Sequence, residues 1–284
     1  MPRLNVLFAC CAALTLGPLA QAQSPVGSLD FAYDNTPIWP LSGVTLTAPD
    51  VQAPQDFGTP IIYVNAGHGA PRNSGSLSLF CTWEMDHNLR IQDELATYLE
   101  QSGLFTVVRG RLSEQRTSYG SRLETLATSG AVLMVEVHAD VREGGTLWEP
   151  APGVECVRNL GKTGFSVLFN DSATGSLLEG RTTLARAVSV GLRDAGFRPY
   201  HGSDYAGLYE GDVPGVWRDR RGLMMLRRPE IPSIIIETHN HQNPDEVARW
   251  AEPATRQVFY ATVATALVHT LTSDEAVTDV SVAN

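Results

Sequence analysis

Four side chains in this sequence have the types needed for metal-assisted acid–base chemistry: His68, Glu84, His138 and Glu237. Each of three of them follows a short apolar run. His68 comes after Ile61-Ile62-Tyr63-Val64 and a Gly-flanked turn, His138 directly after Ala131 to Val137, and Glu237 directly after Ser233-Ile234-Ile235-Ile236. A catalytic zinc takes about three protein ligands and keeps one position for water. His68 and His138 supply nitrogen, and a carboxylate is the natural third ligand. Glu84 suits that place, because the loop from Gly69 to Trp83 is long enough to bring it back over a sheet edge. Glu237 then stays unligated and free to move a proton from a water to a leaving amine. Taken singly, each residue has a plainer explanation. A lone His is commonly a surface or core group, and a Glu at a helix start suits the helix dipole.

The elements that must position these groups alternate between strand and helix. Ile61 to Val64, Phe105 to Val108, Ala131 to Val137, Phe165 to Phe169, Gly222 to Leu226 and Ser233 to Ile236 read as strands. Glu84 to Gln101 reads as a helix, with Ile91, Leu95 and Leu99 on one apolar face and Gly103 as its stop. Arg116 to Thr128, Leu177 to Ala195 and Pro244 to Thr272 are further helices. This alternation predicts a single α/β domain, a mostly parallel or mixed twisted sheet flanked by helices on both faces. In such sheets ligands bind outside the carboxyl ends of the strands.

The rest of the chain sets the context. Residues 1–22 read as a secretory signal: Arg3, the apolar stretch Val6 to Leu16, then Ala20-Gln21-Ala22 before a cut. A lipoprotein reading through Cys10 has too little apolar chain before it. No later segment reaches the roughly 18 apolar residues of a membrane span. The chain is therefore expected to be exported, to the periplasm or beyond the cell. Residues 23–58 read as an extended leader whose Trp39 and Phe57 could pack onto the domain, 59–272 as the catalytic domain, and 273–284 as a polar tail. The formal charge is −10, one unit more negative once Arg3 is cut away. That balance argues against nucleic acid or an anionic membrane as partner. Cys81 and Cys156 lie beyond the signal; an even count permits one disulfide, and two free thiols are the alternative. A bond between them would tie the loop before Glu84 to the loop after His138. Tyr200, Tyr205, Tyr209 and Trp217 fall in a Gly-rich stretch, 197–221, as binding groups for a ligand or as anchors of the loop.

An ordered set of short motifs resembles the zinc-dependent N-acetylmuramoyl-L-alanine amidase catalytic family. Ile61 to Gly69 looks like the family's opening strand and loop, and Glu84 with Asn88-Leu89 is similar to its ligand Glu and the Asn-Leu pair that follows. Arg122 resembles the Arg before the metal-ligand strand, and Val135 to Asp140 the segment of the second ligand His. Pro232 to Glu237 resembles the strand ending in the catalytic Glu, and Asn243-Pro244-Asp245-Glu246 the Asn-x-x-Glu after it. The resemblance spans roughly residues 59–272, and the ordered set is more specific than any one motif. It implies one zinc ion held by His68, Glu84 and His138, with Glu237 as the catalytic acid–base. The implied substrate is peptidoglycan or its muropeptide fragments, cut at the amide between N-acetylmuramic acid and L-alanine. A zinc hydrolase acting on another amide, and a catalytically silent wall-binding protein, are the competing readings.

Three departures stand out. Asn65 replaces an acid common in the family, Glu136 stands where a small polar residue is usual, and Asp140 where Asn is usual. Glu136 lies two residues before His138 and so shares its strand face; it is either an outer partner of that His or a rival ligand to Glu84. Thr238-His239-Asn240-His241 replaces the family's continuation after Glu237. His239 and His241 are read as substrate contacts or surface groups rather than a second metal site, and His87 as solvent-facing or an outer neighbour of the metal.

Overall fold

The computed structural model describes residues 45–112 and 116–273. The expected signal at 1–22, the first part of the leader with Trp39, and the tail from 274 lie outside the described residues.

Seven strands form one sheet: β1 (Ile61–Ala66), β2 (Thr106–Arg109), β3 (Leu133–Asp140), β6 (Ser166–Phe169), β7 (Tyr209–Gly211), β8 (Val216–Asp219) and β9 (Ser233–Asn240). Their order is β2-β1-β3-β9-β6-β8-β7. β1, β2, β3 and β9 run parallel, β6 is antiparallel to β9, and β7 is antiparallel to β8, so the sheet is mixed. A separate hairpin, β4 (Thr146–Ala151) and β5 (Val154–Arg158), stands outside it.

Alternation along the strands divides the core unequally. Ile62, Val64, Leu133, Val135, Val137, Val167, Ile234 and Ile236 point into a large cluster. It is covered by α1 (Glu84–Gln101), α3 (Gly175–Asp194), α5 (Pro244–Ala251) and α6 (Pro253–Thr272). Tyr63, Met134, Leu168 and Ile235 point the other way, into small clusters under α2 (Tyr119–Thr128) and the single turn α4 (Met224–Arg227). The period of two puts Asn65, Glu136, His138 and Glu237 on this thinly covered face.

Several boundaries differ from the sequence reading, each for a local reason. Gly222 to Leu226 is not a strand: Leu226 and Arg227 donate to the carbonyl of Leu223, and the segment turns into α4. Pro244 to Thr272 is two helices, because Glu252 is extended and Pro253 opens the second. A residue before proline is disfavoured in the helical region. α2 starts at Tyr119, where the Ser118 side chain accepts from the Ser121 N–H. Residues 45–60 carry no helix or strand, and Leu46, Val51, Ala53 and Phe57 pack against the main core.

Candidate metal and acid–base site

The loop from Gly67 to Trp83 brings two of the four groups together. Gly67 extends the sheet ladder by donating to the Val137 carbonyl, at 2.9 Å. A Cβ on Gly67 would lie 2.1 Å from the His138 ring, so the ring packs against bare backbone. His68 then adopts φ 59°, a left-handed conformation uncommon for a residue with a side chain. The loop returns as Glu84 and Met85 donate to the carbonyls of Ser76 and Ser74. These bonds occupy N–H groups that the first turn of α1 leaves free, since Trp83 provides no side-chain cap. Glu84 is thus buried at the start of α1, with Ser76 N, Ser76 Oγ and Asn88 Nδ2 donating to its carboxylate.

β3 and β9 supply the other two groups. The register pairs His138 directly with Glu237, and Glu136 directly with Asn65 on β1. His138 and Glu237 therefore lie within these strands rather than capping them, because β3 runs on to Asp140 and β9 to Asn240.

Three of the sequence candidates converge. His68 Nε2 lies 3.0 Å from Glu84 Oε2, and His138 Nδ1 lies 3.0 Å from Glu84 Oε1. One ligand atom from each residue lies within 4.8 Å of the other two, so the cluster could hold a metal ion. Among the described residues no other group of three or more His, Cys, Asp or Glu side chains converges in this way. The outer nitrogens are occupied by oxygen: His68 Nδ1 by Asn73 Oδ1 at 2.7 Å, and His138 Nε2 by Glu136 Oε1 at 2.8 Å. Each imidazole can therefore donate outward through that nitrogen and offer the other, unprotonated, to a metal ion. Burial disfavours the Glu84 carboxylate, but its bonds to His138 and His68 outweigh that and hold its pKa well below the usual range. Two neutral nitrogens and one carboxylate form a donor set suited to zinc.

Glu237 faces the same cavity, of about 400 Å³, without joining the cluster. Its Oε2 is shielded from solvent and has no hydrogen-bond partner. Burial, with Asp140 and Glu84 nearby, pushes its carboxyl up to about 8 against the lowering influence of His138. A carboxyl poised near neutrality in a cleft suits proton transfer. Asn73, Ser76, Tyr119, Arg221 and Met225 also line the cavity. They carry no signal in the sequence, since only the fold brings them there.

The remaining candidates divide. Cys81 and Cys156 are bonded, with Cα atoms 5.5 Å apart, fastening the loop before Glu84 to β5. Tyr200 and Tyr205 are buried: the Arg142 guanidinium lies over the Tyr200 ring, and Tyr205 donates to Asp140 at 2.6 Å. Trp217 packs on Tyr205, so of the four rings only Tyr209 lines the cavity. His239 and His241 are buried and lie away from the surface. With His87 they form a group whose ring centroids are 5.0–5.6 Å apart, and His239 stacks on Trp250. His87 therefore faces this interior group rather than solvent, and its Nε2 is buried without a partner. Arg122, fully buried, donates to the carbonyls of Ala66 at 2.7 Å and of His68, fixing the end of β1. Asn243 caps α5, while Glu246 accepts the N–H groups of Gly164 and Asn240, a structural use of that motif.

The profile of a family described as N-acetylmuramoyl-L-alanine amidase matches residues 62–269. Among solved structures, an N-acetylmuramoyl-L-alanine amidase from Clostridium difficile 630 is similar at 19% identity and TM-score 0.56, covering 76% of this chain and 99% of that one. The amidase Ami1 from Mycobacterium smegmatis is similar at 16% identity and TM-score 0.60, covering 76% and 98%. Ami1 from Mycobacterium abscessus is similar at 18% and 0.60, covering 75% and 99%. At these identities the likeness is one of fold. No curated protein matches the chain.

Proposed function

Since this chain belongs to the N-acetylmuramoyl-L-alanine amidase family, we propose that it is a zinc-dependent peptidoglycan amidase, with His68, Glu84 and His138 as ligands and Glu237 as general acid–base. The scissile bond on this reading joins the lactyl group of N-acetylmuramic acid to L-alanine. The observation that carries it is Glu237, unpaired in the cavity and directly opposite His138 in the strand register. When bound, zinc supplies a Lewis acid that polarises the amide carbonyl and makes a water more acidic, towards a pKa of roughly 7.

The protein's own residues do the rest. Glu84 and the two imidazoles offer the ion a site with one net negative charge. Asn73 holds the outer nitrogen of His68, so that ring keeps the tautomer that ligation needs. Glu237 accepts the proton from the attacking water and returns it to the departing amine of L-alanine, which leaves poorly without it. No covalent intermediate with the protein is required. Among the described residues no helix is long and apolar enough to cross a membrane. Action outside the cytoplasm, following export by residues 1–22, accords with a wall substrate.

The test is metal analysis of purified protein together with digestion of isolated peptidoglycan. One zinc per chain is expected, and the digest should contain peptides with new alanine amino termini beside intact glycan. A chelator should stop release and added zinc should restore it. Cut sugar linkages, or peptides still joined to muramic acid, would overturn the reading.

A further inference from the structure

The cluster contains a carboxylate that neither ligation nor proton transfer uses. Glu136 is 2% exposed and turns Oε1 to His138 Nε2 at 2.8 Å. Its Oε2 accepts from Asn65 Nδ2 at 2.5 Å, across directly paired positions of β3 and β1. Asn65 Oδ1 in turn accepts from Arg122 Nη1 at 3.5 Å. The two departures from the family pattern at 65 and 136 are thus cross-strand partners. An acid is missing on β1 and one is present opposite it on β3.

The ring geometry assigns Glu136 its part. Glu84 meets His138 at Nδ1, while Glu136 meets it at Nε2, the far side of the imidazole. Glu136 therefore sits across the imidazole from the nitrogen that faces Glu84 and that would hold the ion. Resting on the proposed zinc site, we propose that Glu136 is a positioning residue for the ligand His138. Its carboxylate accepts Nε2–H, fixes the tautomer and ring plane, and makes Nδ1 a stronger donor to the ion. Asn65 holds the carboxylate in place. His68 has only a neutral amide, Asn73, in the corresponding place. The two ligand rings are therefore supported unequally, and the charged support falls on the strand histidine.

Outer partners of this kind typically contribute 10–100-fold to metal affinity. The test is the zinc affinity of the full chain, measured by competition with a chromophoric chelator, which does not depend on catalysis. Glu136→Gln should still take up one zinc at saturation but bind it roughly 10–100-fold more weakly. Glu136→Asp should recover part of the loss. The visible spectrum of the cobalt(II)-substituted variant should keep the band intensity of the wild type, because the ligands are unchanged. Should Glu136→Gln fail to fold, Asn65→Ala, which frees the carboxylate without removing it, should show a smaller loss of affinity. Unchanged affinity in the variant read would overturn the proposal. So would a cobalt spectrum of altered coordination number, which would make Glu136 a ligand. A wild-type chain that takes up no zinc would instead overturn the metal site, and this inference with it.

Discussion

Glu84 and Glu237 share a cavity and a side-chain type, yet their surroundings drive them apart. Glu84 is held ionised by two imidazoles, while Glu237 has an oxygen with no partner and a raised pKa. Their amide variants should therefore differ in kind. Glu237→Gln keeps the shape but cannot accept a proton; it should bind zinc normally and lose roughly 10²-fold or more in peptidoglycan hydrolysis. Glu84→Gln should lose zinc and activity together. Zinc content and turnover measured on both variants separate the roles, and a Glu237→Gln protein devoid of zinc would make Glu237 a ligand. Gly75 is a third test at this scale. It sits at φ +80°, and a Cβ there would lie 2.7 Å from both Glu84 Oε2 and His68 Cδ2. Gly75→Ala should cost about 1–3 kcal/mol in backbone strain alone and weaken zinc binding, seen as a lowered denaturant midpoint and a lower metal content.

Elements decide how firmly these residues are held. The loop before α1 is fastened at several points, among them the Cys81–Cys156 bond, Trp148 Nε1 donating to Leu79 O at 2.9 Å, and Leu79 N donating to His241 O at 2.8 Å. Replacing both cysteines with serine should lower stability by about 2–4 kcal/mol and open the 69–83 loop to proteases before the sheet unfolds. Proteolysis timed against global unfolding checks this, and a loop that resists cleavage as long as the sheet survives would contradict it. The elements also show where sequence is readable. The helix Glu84 to Gln101 is legible to the residue, because Ile91, Leu95 and Leu99 repeat along one buried face. The β4–β5 hairpin left no trace, because Leu147 and Val154 face solvent and no polar–apolar alternation marks an inner side. α4 resembled a strand, since a short apolar run suits either conformation until its neighbours are known. The convergence of His68, Glu84 and His138 could be anticipated from strand ends and loop length. The grouping of half-buried His87 with buried His239 and His241 could not, because it depends on how α1 packs against β9 and α5.

Those three histidines have a consequence for the whole molecule. Burial lowers the pKa of each, well below the usual value for His87 and His239 and to about 4 for His241. The charged groups acting on them are Arg90, Arg142 and Arg256, with Glu84 the one carboxylate opposing them. The unfolded chain binds protons at these sites below about pH 6.5, whereas the folded protein does not until lower pH. The stability these three histidines contribute is therefore complete above about 6.5 and declines as pH falls towards about 4, while the raised carboxyls of Glu237 and Glu246 act in the opposite sense. Denaturant midpoints of chelator-treated protein across that range should fall less steeply towards low pH in His241→Gln than in the wild type. A slope identical to the wild type would exclude His241 as a contributor.

The site is built from parts of unequal permanence. His138 and Glu237 belong to β3 and β9, paired along their length at the middle of the sheet, while His68 and Glu84 are joined by an external loop. Amide hydrogens record that difference as separate clocks. Those of β3 and β9 should exchange only as fast as the entire protein opens, whereas those of 69–83 should exchange through smaller openings that leave the sheet intact. Removing zinc should speed the second clock and leave the first near its old rate. On the proposed ligand set, the enzyme can then lose two of its three metal ligands and regain them without ever unfolding.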